Sequence, residues 1–340
     1  MVFSPMERKV LHIISHTDLD GVTAAAVAWH ASFPEEAPLR VSLVGYGDVD
    51  ALVLETLRAG LRPRVIDLFC QRQETVDHLD KFFEEGAEPF FFDHHKTTEE
   101  RFGNRPWAWV DPSCCAAMVY HRWALERATD PAVKKRLEAL TEMVAVANDR
   151  DLWLGQDERS RLWQALVTLC GPWGVLMRLG ANPSPDLSPE ERRAAESFVE
   201  RQEIRFSSAL EKVTRFGSDL TWVGPDLLEF GDVSDFCGLV LDRMDNPPRL
   251  VAVAHRRPGG DWAVSLRSRD AFAARLVGLL KDGKKIRGGG HDDAAAVYFP
   301  ASYREIQVQD AVLSALRMAE EREKPLEMTL GDLFRRGVSS

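Results

Sequence analysis

The first half of the chain alternates short apolar runs with longer stretches of helical periodicity. VLHIIS at residues 10–15 predicts a buried strand that runs into the polar hexapeptide HTDLDG. The Ala-rich segment 22–30 then predicts a helix. Further strands are predicted at 41–44, 64–67 and 89–93, with helical patterns between them at 50–58 and 74–84. Strands alternating with helices imply an α/β fold with a parallel sheet. In such sheets ligands sit beyond the carboxyl ends of the strands, and three of these strands end in His or Asp. After Val110 the pattern turns helical, at 116–127 and 131–147, the second running directly into Asn148-Asp149-Arg150-Asp151.

A polar, Pro-containing break, GANPSPDL at 180–187, is the best boundary between domains. It divides the chain into a domain at 1–180, a linker with a connecting helix at 181–215, and a smaller α/β domain with a C-terminal helix at 216–340. Ser188, Pro189 and Glu191 form an N-cap, a proline at the first helical position and a capping box, which start the connecting helix. Beyond it, strands are predicted at 220–223, 250–255, 262–266 and 294–299. A helix is predicted at 270–281, a Gly-rich turn before the last strand, and a charged helix at 309–324.

Composition narrows the classes. Hydrophobic residues make up 45% and charged residues 28% of 340, which fits a globular chain and argues against a largely disordered one. No apolar run approaches the roughly 18–20 residues that a membrane span needs, and MVFSPMERKV lacks the apolar core of a secretory signal, so a cytoplasmic location is expected. Five cysteines without a C-x-x-C fit neither a disulfide framework nor a cysteine zinc cage. The net charge is −10, which disfavours a duplex-coating protein. The balance is uneven: residues 255–291 hold nine Lys/Arg against three Asp. Local basicity within an acidic chain suggests a confined anion site.

Five elements carry candidate chemistry. In an extended HTDLDG segment, His16, Asp18 and Asp20 share one face at spacing i, i+2, i+4. One imidazole and two carboxylates suit a divalent ion such as Mn²⁺ or Mg²⁺; the alternative is a polar loop in which Asp20 caps the next helix. Asp67 ends the RVID strand. The aromatic strand at 89–93 ends in Asp93-His94-His95, whose two imidazoles face opposite ways and so serve different ends. Asp93 is placed to orient an imidazole. Asp149 and Asp151 follow a helix, and either could complete the cluster. In the second domain, Arg267 and Ser268 end a strand, and Gly288-Gly289-Gly290-His291 lets the backbone approach an anion. A guanidinium, a hydroxyl, an imidazole and close-approaching N–H groups together suit phosphate.

The combination resembles the DHH phosphoesterase superfamily. Asp93-His94-His95 is similar to the namesake motif, HTDLDG to the first, Asp67 to the second, and Asp149 or Asp151 to the fourth. SLRS and GGGH resemble the associated C-terminal substrate-binding domain, and the likeness spans roughly residues 10–300. SHTDLDGV, FDHHKT and VSLRS look closest to the nanoRNase B type of oligoribonuclease. The resemblance implies two Mn²⁺ ions: one held by His16, Asp18 and Asp67, the other by Asp20, Asp67, His94 and Asp149 or Asp151, with Asp67 bridging. It implies that His95 contacts the scissile phosphate and that Arg267, Ser268, His291 and the glycine N–H groups hold substrate. The activity it implies is hydrolysis of very short oligonucleotides to nucleoside 5′-monophosphates. Alternatives within the class are a RecJ-type single-strand exonuclease and a hydrolase of cyclic dinucleotides or 3′-phosphoadenosine 5′-phosphate; outside it stands a non-catalytic nucleotide-binding protein. The expected partners are short single-stranded oligonucleotides or dinucleotides, with no membrane and no duplex DNA; a homodimer is compatible with the sequence.

Overall fold

The computed structural model describes residues 10–32, 39–83, 87–270, 272–281, 285–290 and 293–323. They form two compact units, divided between Glu200 and Arg201.

The first unit is built on five parallel strands: β1 (Leu11–Ser15), β2 (Leu39–Leu43), β3 (Arg62–Ile66), β4 (Phe91–Asp93) and β5 (Ala108–Val110). Their order is β2-β1-β3-β4-β5. The chain steps from β1 to one side and then crosses to the other, so the ends of β1 and β3 flank a topological switch point, where such sheets bind ligands. Successive strand residues feed opposite cores. Ile13, Ile66 and Phe92 pack toward one side, Ile14, Val65 and Phe91 toward the other. A sheet covered on both faces accounts for the near-continuous apolar runs in the sequence.

One face carries α1 (Leu19–Ala31), α5 (Ala116–Arg127), α6 (Pro131–Ala139), α7 (Thr141–Asp151) and α8 (Glu158–Ala181). Residues 22–28 of α1 are all buried, and their small side chains let the surrounding helices approach. The other face carries α2 (Val49–Arg58) and α3 (Gln73–Phe82). The short α4 (Lys96–Phe102) follows β4. The single helix expected at 131–147 is two, because fully buried Leu140 takes the turn between α6 and α7. Helix α8 is likewise interrupted, at Gly171 (φ +73°) before Pro172.

Helix α9 (Pro189–Leu210) begins with the expected reciprocal cap: Glu191 N–H donates to Ser188 Oγ and Ser188 N–H donates to Glu191 Oε2. Its first turns pack on the core of the first unit through Ala195, Phe198 and Val199, and its last turns on a core of the second through Phe206 and Ala209.

The second unit is a mixed sheet, ordered β10-β11-β9-β8-β7-β6. Its strands are β6 (Thr214–Phe216), β7 (Leu220–Val223), β8 (Leu250–Arg256), β9 (Trp262–Arg267), β10 (Arg287–Gly290) and β11 (Ala294–Phe299). Helices α11 (Phe272–Leu280) and α12 (Glu305–Glu323) cover one face, α10 (Val233–Arg243) the other. The Gly-rich stretch expected to be a turn is instead the edge strand β10, paired antiparallel with β11. Gly288 is required there, since a Cβ would meet Ala296 O and Val277 Cγ1, each at 2.7 Å.

Candidate metal centre

The carboxyl ends of four adjacent strands supply the site. After β1 the chain bends at Thr17, and the helix begins at Leu19, directly after an extended Asp18. Asp18 is the N-cap of α1, its Oδ1 accepting from Gly21 N–H at 3.0 Å. Asp18 thus takes the cap that the polar-loop alternative gave to Asp20, and Asp20 enters the first helical turn. The helix onset breaks the shared face expected for the HTDLDG acids and sends them to two neighbouring clusters. Gly21 permits the tight entry: a Cβ there would lie 2.6 Å from His16 O. Ser15 Oγ donates to Gly21 O and Ile66 O, tying the ends of β1 and β3 together.

Asp67 follows β3 in a left-handed conformation, φ +60°, which Asp tolerates better than most side chains. Its carboxylate reaches both clusters. Oδ2 lies 3.7 Å from His16 Nδ1, and Oδ1 lies 3.5 Å from His94 Nε2. His16 Nδ1 donates to Asp18 Oδ2 at 2.8 Å. On the other side, His94 Nε2 is 4.0 Å from Asp20 Oδ2, and His94 Nδ1 is 3.6 Å from Asp151 Oδ2. His16–Asp18–Asp67 and Asp20–His94–Asp151 form two donor sets, and a third grouping, Asp67–Asp93–His94–His95, overlaps the first through Asp67 and the second through His94; in each the ligand atoms lie within 4.8 Å of one another.

The supports come from farther along the chain. Both oxygens of Asp20 accept from the first N–H groups of α5, Ala116 and Ala117, at 2.8 Å. A helix N-terminus is where a buried carboxylate is best accommodated. The start of α5 is itself fixed by Asn148 of α7, whose Oδ1 accepts from Cys115 N–H. Asp50 of α2 accepts from Gln71 and Arg72 N–H, holding the loop after β3.

Asp149 and Asp151 separate clearly. Asp149 Oδ1 accepts from Gln156 N–H at 2.7 Å and so braces the loop after α7. The donor sets found among the described residues include Asp151 and leave Asp149 out. Of the two alternatives for this ligand, Asp151 is the one whose carboxylate approaches His94, while Asp149 keeps a second buried oxygen, Oδ2, without a hydrogen bond.

His94 and His95 diverge. His95 Nδ1 donates to Asp93 Oδ1 at 2.8 Å, an oxygen that also accepts from His94 N–H. Asp93 is fully buried. Burial disfavours the imidazolium, yet the charge and hydrogen bond of Asp93 push His95 up to about 9. Tyr46, in the turn after β2, places Oη 3.2 Å from His95 Nε2 and its ring 5.2 Å from that of His16. Tyr46 escaped the sequence reading. The available signal was its position directly after an apolar strand of the same sheet.

Burial first, and the charge of Asp18 second, push Asp20 up to about 6. Burial and the charge of Asp20 push Asp151 up to about 7. Asp67, buried among Asp18, Asp20, Asp151 and Asp93, is held well above the usual carboxylate range. Asp151 Oδ2 has no hydrogen-bond partner. Crowded carboxylates with an orphaned buried oxygen, interleaved with imidazole nitrogens, fit divalent cations that take oxygen and nitrogen donors. His16, Asp18, Asp20, Asp67, His94 and Asp151 are the residues that would hold them.

Comparison with known proteins finds no matching family profile and no matching curated protein. Solved structures do match. An exonuclease RecJ bound to manganese is 17% identical, with 93% of this chain and 91% of that chain covered and a TM-score of 0.55. The DHH domain of a member of the S1p family of ribosomal proteins is 16% identical, with 93% and 87% covered and a TM-score of 0.54. A pGpG-specific phosphodiesterase from Vibrio cholerae is 15% identical, with 91% and 99% covered and a TM-score of 0.52.

This is the DHH fold.

Within the DHH fold the anion-binding candidates belong to the second unit. Arg267 pairs with Ala294, and Gly290 with Ala295, so both lie at one end of that sheet. Ser268 is 5% exposed. Its Oγ accepts from Phe272 and Ala273 N–H and donates to Asp293 Oδ1. The hydroxyl expected to meet phosphate thus caps α11. His291 lies outside the described residues.

Proposed function

We infer that this protein is a divalent-metal-dependent phosphodiesterase that hydrolyses very short oligonucleotides, dinucleotides above all, to nucleoside 5′-monophosphates, with two Mn²⁺ ions as cofactors. The observation that carries the reading is Asp67, one carboxylate with an oxygen turned toward each donor set. Two ions held side by side would acidify a water and offset the charge that builds on a phosphoryl group. The chain's own groups do the rest. Asp20 is fixed by the N-terminus of α5 and Asp67 by its turn, so both present oxygens without reorganising. His95, kept charged and oriented by Asp93, hydrogen-bonds the phosphate. Arg267 and strand β10 supply anion contacts on the second unit.

Short substrates are favoured by charge. Outside the basic stretch 255–291 the chain carries a net −16, whereas a long single strand needs an extended basic groove. The similarity to a pGpG-specific phosphodiesterase along nearly the whole of both chains supports a dinucleotide-sized substrate. Hydrolysis of a 5′-labelled RNA dinucleotide and a labelled 20-mer, with Mn²⁺ and with EDTA, tests the reading. Chelator-sensitive cleavage confined to the dinucleotide is the expected result. Progressive loss of the 20-mer would replace it with an exonuclease, and no cleavage of either would remove it.

A further inference from the structure

Tyr46 has no part in the steps above, although it stands inside the site. Strand β2 ends at Leu43, and the turn that follows carries the phenol across the end of the sheet. Among the described residues, three aromatic neighbours pack on its ring. His16 lies at 5.2 Å, Phe69 meets it edge-on at 5.7 Å, and His95 lies edge-on at 6.1 Å. Phe69 is buried and also touches the His95 ring, at 6.2 Å. The ring is thereby wedged between an imidazole of the first donor set and the imidazole assigned to the phosphate.

The position of Oη follows from that wedge. His95 Nδ1 donates to Asp93 and Nε2 hydrogen-bonds Tyr46 Oη, so the Nε2 edge of the imidazole and the phenol face an incoming anion together. Oη lies 3.2 Å from that Nε2, so an oxygen seated against Nε2 is also within reach of the phenol. A phenol titrates near pH ~10 and carries its hydrogen at neutral pH. The carboxylates whose charges act on it, Asp67, Asp93, Asp18 and Asp151, are acceptors. A phosphoryl oxygen is the group that can take both hydrogens together.

Resting on the phosphodiesterase reading, we propose that Tyr46 is a catalytic residue whose hydroxyl donates a hydrogen bond to a non-bridging oxygen of the scissile phosphate, beside His95. The proton stays on the phenol throughout. The hydrogen bond strengthens as negative charge grows on the phosphoryl oxygens, so its effect falls mainly on kcat.

The test compares the full-length wild type with Tyr46→Phe, which keeps the ring and removes the hydroxyl. Calorimetry measures Mn²⁺ binding, then inorganic phosphate binding to the Mn²⁺-loaded protein; kcat and KM are measured on a linear RNA dinucleotide. Expected for the variant are an unchanged melting temperature and Mn²⁺ affinity, phosphate affinity weaker by about tenfold, and kcat lower by about 10- to 100-fold with little change in KM. Wild-type kcat and phosphate affinity in the variant would overturn the proposal. So would a loss of Mn²⁺ affinity in step with activity, which would make the phenol a support of the metal site. Should the wild type leave the dinucleotide intact, the phosphodiesterase reading fails, and the phosphate comparison still decides whether Tyr46 grips a phosphoryl group.

Discussion

Asp149 and Asp151 show what a sequence hides at the scale of single residues. Both sit in the last turn of α7, and nothing in DRDLW ranks one above the other. Two positions along a helix turn a side chain by about 200°, so one carboxylate meets His94 and the other meets the Gln156 amide. Asp151→Asn is expected to abolish tight Mn²⁺ binding, whereas Asp149→Asn lowers stability by about 1–3 kcal/mol and leaves the metal affinity near wild type. Calorimetric titration with a thermal melt separates them. The same variants give a pH test. Asp151 titrates at about 7 in the folded chain against an ordinary 3.8, so folding favours its protonated form. In EDTA, wild type should match Asp151→Asn below about pH 4, fall behind as pH rises to about 7, and stay behind above it, by several degrees of melting temperature. Equal melting curves across that range would contradict the burial of this charge. The ligand residue types were legible because His and Asp closed three of the four strand candidates in the first half. Tyr46 was not, because a lone Tyr after a strand is chemically ordinary until the fold sets it against two imidazoles.

At the scale of elements, legibility followed patterning. Helix α5 and strands β7 and β11 fall where the apolar periodicity puts them. Strand β5, three residues long with an exposed Trp109, offers too little alternation to read. Strand β10 was hidden by composition: three consecutive glycines signal a turn by propensity, and only the packing of β11 and α11 against them makes a strand. That packing yields a contrast between neighbours. Gly288→Ala must displace Ala296 O or Val277, at a cost of about 1–3 kcal/mol. Gly289→Ala meets nothing within 4 Å and is expected to stay within about 0.5 kcal/mol of wild type. Urea denaturation of the two variants checks this, and equal losses would show that β10 is not packed as described.

For the whole molecule, the alternation of strands and helices was sufficient to predict an α/β chain with a parallel sheet. The division of compact units falls inside α9, at Glu200, farther along than the polar break at 180–187, because the first turns of that helix still belong to the first core. No sequence signal marks such a point, since the helix runs through it unbroken. Each unit has its own cores, and all six proposed metal ligands belong to the first. Scanning calorimetry with Mn²⁺ and with EDTA is therefore expected to show two transitions, of which Mn²⁺ raises only one, by RT ln(1 + [Mn²⁺]/Kd) in free energy. A uniform shift of the whole profile would show that the units unfold together.

The buried carboxylates around Asp67 bear on the lifetime of the protein as well as its chemistry. With no cation among them, they repel one another inside the fold and raise the share of molecules that are open at any moment. Open chains are what proteases degrade. A cell poor in the activating ion would then hold fewer copies of the protein in addition to less active ones, and its level would report metal supply without any dedicated sensor.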